Sequence, residues 1–403
     1  MQLALPSLLQ VRRKLTWTRR ITRRERSPGV IGFDMTGLKS PSPSLDGSLT
    51  SPASATMSAP FFLELTMQSN ENLHQEYTLF GGDVFTNVYD GEKTIQMPAS
   101  LKILGFSNSS NPAVPKRHEN YVFRREVLRD LLAFLRKPNG DALFITGPTG
   151  SGKTSVVNEV CARLNWPVQQ ITLTNRFEFS ELTGHFVLGA KKSGSGTEMM
   201  FQYGPLATAM KFGHVLILNE LDLADAGELA GLNDVLEGRP LVLAENAGEI
   251  IVPHPMFRVI ATANSCGNGD ASGRYLGVQQ QNLAFLDRFR FMEVGYQEAS
   301  VEEQLLRKCV PSMKHLIAGM VRLAGEVRKL FADGRISITL STRTLLRWAQ
   351  IADDFRNADN PLEYGLTRAL LVRAEPEEAK AIVSLCESVF GDAWSVQTKQ
   401  TKA

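Results

Sequence analysis

Cysteine is scarce in this 403-residue chain. Its four cysteines, Cys161, Cys266, Cys309 and Cys386, lie far apart and form no C-x-x-C pair. That spacing excludes a disulfide framework and a thiolate zinc site, and it fits reduced thiols in a cytoplasmic protein. Histidine offers no metal site either, because His185, His214 and His254 have no partners at the spacing that helical ligands need. Long hydrophobic runs are missing: none approaches the ~20 residues of a membrane-spanning helix, although 43% hydrophobic content is ordinary for a globular protein. Charge of one sign is missing from the whole but not from its parts. Residues 1–58 hold nine Lys/Arg against three acidic residues, so this tail carries +6 while the chain as a whole carries +2. The rest is mildly acidic at −4, which argues against a nucleic-acid-binding surface on the folded body.

What is present divides the chain into five parts. Residues 1–58 combine an arginine cluster with Ser40-Pro41-Ser42-Pro43-Ser44 and read as a disordered basic tail or an over-extended start, with Met57 and Met67 as later initiators. Residues 59–115 change to short mixed runs broken by Gly81-Gly82, as in a small β-rich appendage or a strap lying on the main domain. From 116 to 297, strand-like and helix-like stretches alternate. A helix is expected over 121–137, strands at 142–146, 168–172, 214–218, 257–263 and 290–294, and helices at 153–164, near 204–212 and at 225–237. Alternation of this kind implies a parallel sheet with helices on both faces, a three-layer α/β core. Beyond residue 298 the strand signal stops. Helical periodicity at 299–309, 313–332, 342–356 and 376–390 predicts a small all-helical domain to about 392, followed by a tail over 393–403.

The chemistry begins at Gly147-Pro148-Thr149-Gly150-Ser151-Gly152-Lys153-Thr154, which fits G-x-x-x-x-G-K-[ST]. It follows an apolar strand and precedes a helix, as the motif requires. Glycines let backbone N–H groups turn inward, and the helix N-terminus adds partial positive charge. Lys153 is then placed for the β and γ phosphates of ATP, and the Thr154 hydroxyl for Mg²⁺. A second apolar strand ends in Asn219-Glu220, beginning 66 positions after Lys153. Glu220 suits the carboxylate that polarises an attacking water. Asn219 stands where an aspartate is usual. It accepts a hydrogen bond from a metal-bound water but brings no charge, so Mg²⁺ is held less tightly. A third strand ends in Asn264, placed to orient the water if that strand lies between the other two.

The order of phosphate loop, Asn219-Glu220, Asn264, Leu286-Asp287-Arg288-Phe289 and Ser341-Thr342-Arg343 resembles an AAA+ ATPase of the MoxR-like group. That group is related to the CbbQ/NorQ activators and to chelatase ATPase subunits. The resemblance covers about residues 119–392. It is strengthened by residues 186–203 and Gly204-Pro205-Leu206, which are similar to the family's helix 2 insert, and by a hairpin around Asn246-Ala247-Gly248. The resemblance implies a P-loop AAA+ core with a helical lid, ATP and Mg²⁺ as cofactors, Arg288 as an arginine finger offered to a neighbouring subunit, and Arg343 as a second sensor on the lid. It further implies a homo-oligomeric ring, a hexamer, that acts as a remodelling or activating chaperone on a protein client through a von Willebrand A-type partner. No D-x-S-x-S motif occurs in this chain, so that partner is a separate protein. Two alternatives remain open: a nucleic-acid-acting NTPase, kept alive by the basic tail, and a weakly hydrolysing ATP switch, kept alive by Asn219.

Overall fold

The computed structural model describes residues 77–190, 196–269, 273 and 275–395. The basic tail expected over 1–58, the first part of the expected appendage and most of the tail over 393–403 lie outside the described residues.

Five strands form one parallel sheet: β1 (Ala142–Thr146), β2 (Val168–Thr172), β3 (Val215–Asn219), β4 (Arg258–Ala263) and β5 (Phe289–Glu293). Their order across the sheet is β5-β1-β4-β3-β2. Because both faces are covered, β1, β3 and β4 are buried along their whole length, which is why they read as continuous hydrophobic runs without alternation. The two-residue period still assigns each side chain to a face. Leu216 and Leu218 enter a core with Leu206, Met210 and Phe285, while Val215 and Ile217 enter the other with Leu128, Val160 and Trp166. This is the three-layer α/β arrangement that the alternating pattern predicts.

Helix α1 (Arg125–Arg136) and helix α2 (Lys153–Arg163) cover the second face. The helix expected from 121 starts four residues later, because Phe123 and Arg124 instead pair in parallel with Val88 and Tyr89. Strands at Tyr77–Gly81 and Lys102–Phe106 pair antiparallel, and Phe85, Val88, Ile103 and Phe106 share the core of Trp166 and Ile217. Helix α3 (Pro205–Phe212) lies on the first face. The single helix expected over 225–237 is two short turns, Ala226–Leu229 and Asn233–Leu236, joined by a 3-10 turn at Ala230–Leu232. Gly231 allows the break: a Cβ there would lie 2.7 Å from the Phe179 ring, so the chain approaches that ring closer than any other residue permits.

The helical region has its own core around Trp348, whose indole N–H donates to the carbonyl of Leu362 at 2.8 Å. Its helices are α4 (Ala299–Cys309), α5 (Ile317–Ala332), α6 (Thr342–Asp354), α7 (Pro361–Ala369) and α8 (Pro376–Phe390). Helix α7 was not expected from periodicity. Asn360 caps it through the Glu363 N–H at 3.1 Å, and Gly365 packs directly on Trp348. No helix among the described residues is long and apolar enough to cross a membrane.

Two histidines are built into the sheet's lower edge. His214 is 8% exposed, accepts at Nδ1 from the Gln169 amide nitrogen at 3.2 Å, and is pushed down to about 4 by burial, with His254 adding repulsion. The folded chain therefore leaves His214 neutral where the unfolded chain protonates it, and stability should fall as pH drops from 6.5 towards about 4. Urea midpoints at pH 7 and pH 5 should draw closer together in His214→Gln than in the unaltered protein. An unchanged gap would show that the imidazole titrates freely.

Candidate active site

Strand register brings the polar chain ends to one edge. Ala263 is level with Thr146, Thr262 with Asn219, and Asn219 with Thr172. The glycine-rich loop, Asn219-Glu220 and Asn264 thus leave β1, β3 and β4 side by side, with the strand of Asn264 between the other two as the reading of Asn264 requires. Gly147 (φ 145°), Gly150 (φ 71°) and Gly152 (φ 97°) adopt backbone angles that a side chain would strain. A Cβ on Gly147 would lie 2.3 Å from the Val294 carbonyl oxygen. Helix α2 starts at Lys153 with no side-chain cap, so its first N–H groups are left to an anion.

Lys153 is 7% exposed and donates to Gly147 O at 2.7 Å, Pro148 O at 3.1 Å and Asn264 Oδ1 at 2.9 Å. All three acceptors are neutral. Burial lowers this ammonium to about 8, against the pull of Glu220 and Asp222, and Arg343 adds repulsion. Thr154 Oγ1 donates to Asn219 Oδ1 at 2.7 Å, as does Thr262 Oγ1 at 3.1 Å. Glu220 sits in the left-handed region (φ 54°) and accepts from Asn264 Nδ2 at 2.7 Å. Burial raises the Glu220 carboxyl above its usual range, Asp222 adds to that, and Lys153 opposes it. Asn264 therefore bridges the lysine and the carboxylate.

The lid closes over this edge. Ser341 caps α6 through the Thr344 N–H, and a Cβ on Gly150 would lie 2.5 Å from Ser341 Oγ and 3.7 Å from Arg343 Cβ. Arg343 is exposed on the first turn and acts electrostatically on both Lys153 and Glu220. Tyr296 OH donates to the Thr149 carbonyl at 3.0 Å, and Arg328 stacks on its ring with the guanidinium 4.2 Å from the centroid. Arg288 is not in this constellation. It directly precedes β5, whose first residue Phe289 is level with Ala142 at the start of β1, so it lies at the end of the strands opposite the loop, where it pairs with Glu237. Among the residues singled out in the sequence, Lys153, Thr154, Asn219, Glu220, Asn264 and Arg343 come together and Arg288 stands apart.

Three further residues of the site escape a reading of motifs, Asp222, Thr262 and Tyr296, while Ser341 was read only as the first residue of Ser341-Thr342-Arg343 and without a role of its own. Asp222 is fully buried, and its Oδ2 accepts from the Asn264 N–H, the Ser265 N–H and the Ser265 hydroxyl at 3.1, 2.9 and 2.9 Å. Only its spacing of two from Glu220 hints at it. Thr262 is a single polar residue in an apolar run, and nothing local marks Tyr296 as reaching the loop.

The residues fit a bound polyphosphate on three grounds. The loop holds Gly147, Gly150 and Gly152 at positive φ in the spacing of a phosphate cradle, the Ser151 hydroxyl is buried without a partner, and a desolvated ammonium is satisfied only by neutral oxygens. Fold and site together define a P-loop nucleotide-binding ATPase. Residues 142–289 match the AAA domain of the dynein-related subfamily, and residues 302–389 match the CbbQ/NirQ/NorQ C-terminal domain. The aerobic cobaltochelatase subunit CobS of Sinorhizobium sp is 30% identical over 248 residues, which cover 60% of this chain and 74% of that one. An uncharacterized protein of Staphylococcus saprophyticus is 28% identical over 274 residues, 67% of this chain and 98% of that one. Among solved structures, a putative ATPase from Cytophaga hutchinsonii aligns over 64% of this chain and 78% of that one at 16% identity, with a TM-score of 0.36. The chain belongs to the AAA+ ATPases of the CbbQ/MoxR type.

Substituting Gly150 tests how closely the lid abuts the loop. Gly150→Ala would place a methyl group against Ser341 in a strained backbone region, and nucleotide affinity should fall about tenfold. Titration with a fluorescent ATP analogue reads the change. Affinity equal to that of the unaltered protein would mean that Ser341 and the loop do not touch.

Proposed function

We propose that this chain works as a homo-oligomeric ring, a hexamer, that uses ATP hydrolysis to remodel or activate a protein client. The observation that carries the ring is the position of Arg288, which lies at the end of the strands opposite its own loop and is therefore useful to catalysis only at a neighbour's site. Within one subunit, the loop N–H groups, Lys153 and Arg343 bind the phosphates. Glu220, held by Asn264, takes the proton of the attacking water, and its raised affinity for protons suits a general base. Thr154 and Asn219 would hold Mg²⁺, the latter through water; when bound, that ion neutralises charge on the phosphate oxygens. Water would be excluded by the lid through Ser341 against Gly150.

Client contact falls to two exposed hairpins. The first joins Gly184–Ala190 to Thr197–Tyr203 and carries exposed Phe186, Leu188 and Met199; the second joins Leu241–Leu243 to Glu249–Ile251 and carries exposed Val242 and Ile250. Tyr203 and Lys211 both reach Glu249, so the hairpins are tied together and would move as a pair. A separate von Willebrand A-type protein is the proposed adaptor, in keeping with the chelatase relative, whose name identifies it as one subunit of a larger enzyme. A cytoplasmic location follows from the same reading.

The weakly hydrolysing switch is favoured by one observation: the Asn219 amide oxygen is already shared by two hydroxyls and carries no charge. Asn219→Asp should lower the Mg²⁺ concentration for half-maximal turnover by about tenfold. No gain, with turnover already rapid, would remove the switch reading.

Mixing tests the ring. Glu220→Gln and Arg288→Ala should each lose about 100-fold or more of the ATPase rate. Combined, they should recover part of it, because one subunit supplies the carboxylate and the other the arginine at a shared site. Full activity of Arg288→Ala alone, or no recovery on mixing, would overturn the trans assignment.

A further inference from the structure

Asp222 is a buried carboxylate that the nucleotide reading leaves without a role. It sits in the 3-10 turn Leu221–Leu223 immediately after Glu220, and its side chain is 0% exposed. A buried carboxylate is costly unless hydrogen-bonded, so its contacts need a reason. All three donors to Oδ2 come from one place, the two residues that follow β4: the N–H of Asn264, the N–H of Ser265 and the hydroxyl of Ser265. Its second oxygen, Oδ1, is buried with no partner, so the group is not spread over a wider structural network. The Ser265 hydroxyl passes the restraint on by accepting from the Gly267 N–H at 3.2 Å.

Asn264 is where this matters. Its side chain spans from Lys153 at 2.9 Å to Glu220 at 2.7 Å, two contacts that an amide makes together only if its Cα and χ angles are held. Strand pairing fixes the backbone as far as Ala263, which is level with Thr146, and stops there. Residue 264 begins the loop. We propose that Asp222 is the positioning residue of the hydrolytic site: its carboxylate fixes the loop after β4 so that Asn264 joins Lys153 to Glu220.

This inference rests on the ATPase reading and adds to it a residue that touches no nucleotide. The turn itself does not depend on the side chain, since the Asp222 backbone oxygen accepts from the Gln279 N–H at 2.6 Å and Leu223 N–H donates to Glu220 O at 2.9 Å. Substitutions at 222 therefore leave the local backbone anchored.

The test uses full-length protein with ATP, measuring kcat, KM and, separately, the affinity for a fluorescent non-hydrolysable analogue. Asp222→Ala should lower kcat about 30-fold while analogue affinity changes less than about threefold. Asp222→Asn keeps an oxygen for the same three donors, and its amino group takes the place of the partnerless Oδ1 without breaking a hydrogen bond, so kcat should stay within about fivefold of the unaltered protein. Asp222→Ala with full kcat would overturn the proposal, as would an equal loss of kcat and affinity, or an Asp222→Asn variant as impaired as Asp222→Ala. Should Asp222→Ala not fold, Ser265→Ala carries the test. It withdraws one donor and should cost about threefold in kcat at unchanged affinity, and full kcat there would also overturn the proposal. Absence of ATP turnover by the unaltered protein would instead count against the ATPase mechanism itself, which keeps the two failures apart.

Discussion

The interaction on which the rest of this site depends is a buried ammonium that hydrogen-bonds to no acid. Lys153 is surrounded by two loop carbonyls and the amide oxygen of Asn264, which hold its position but do not neutralise its charge. Desolvation then makes the charge expensive, and a phosphate would relieve that cost. Glu220 faces the same desolvation with the opposite sign, and Asn264 separates the two by hydrogen-bonding both. An amide suits this place because it donates at one end and accepts at the other without adding charge.

Around that centre the lid is connected to the loop through neutral and charged contacts in series. Tyr296 holds the Thr149 carbonyl, Arg328 stacks on Tyr296, and Glu302, 1% exposed, receives Arg328 through both oxygens at 2.8 Å and the Thr342 hydroxyl as well. Thr342 directly precedes Arg343. A continuous chain of packed polar contacts thus runs from the Thr149 carbonyl through Glu302 to the residue that precedes Arg343.

The parts of this arrangement that were legible in advance are those encoded locally. Strands β1 and β2 fall where the alternation of strand-like and helix-like stretches predicts them, and the phosphate loop announces itself through three glycines and a lysine in fixed spacing. Asn264 was placed by its order in the chain, and β4 does lie between β1 and β3. The rest depended on distant partners. Phe123 and Arg124 have a helical pattern around them, yet pairing with Val88 and Tyr89 draws them into a strand. Residues 226–236 look like one helix until Phe179 presses against Gly231. Helix α7 is short and contains Gly365, and it is held by Trp348 more than by its own propensity.

By itself the sequence determined the class of chemistry, because a phosphate cradle needs glycines with left-handed backbone angles and a lysine at one spacing, and those are properties of a contiguous stretch. It also determined the parallel sheet, since a strand buried on both faces must be apolar throughout. Only the tertiary structure decided which polar residues work together. Asp222, Thr262, Tyr296 and Ser341 are brought to the site by strand register and lid packing, and Arg288 is carried to the far end of the strands by the direction of β5. Those placements depend on contacts between residues tens of positions apart, which no local pattern records.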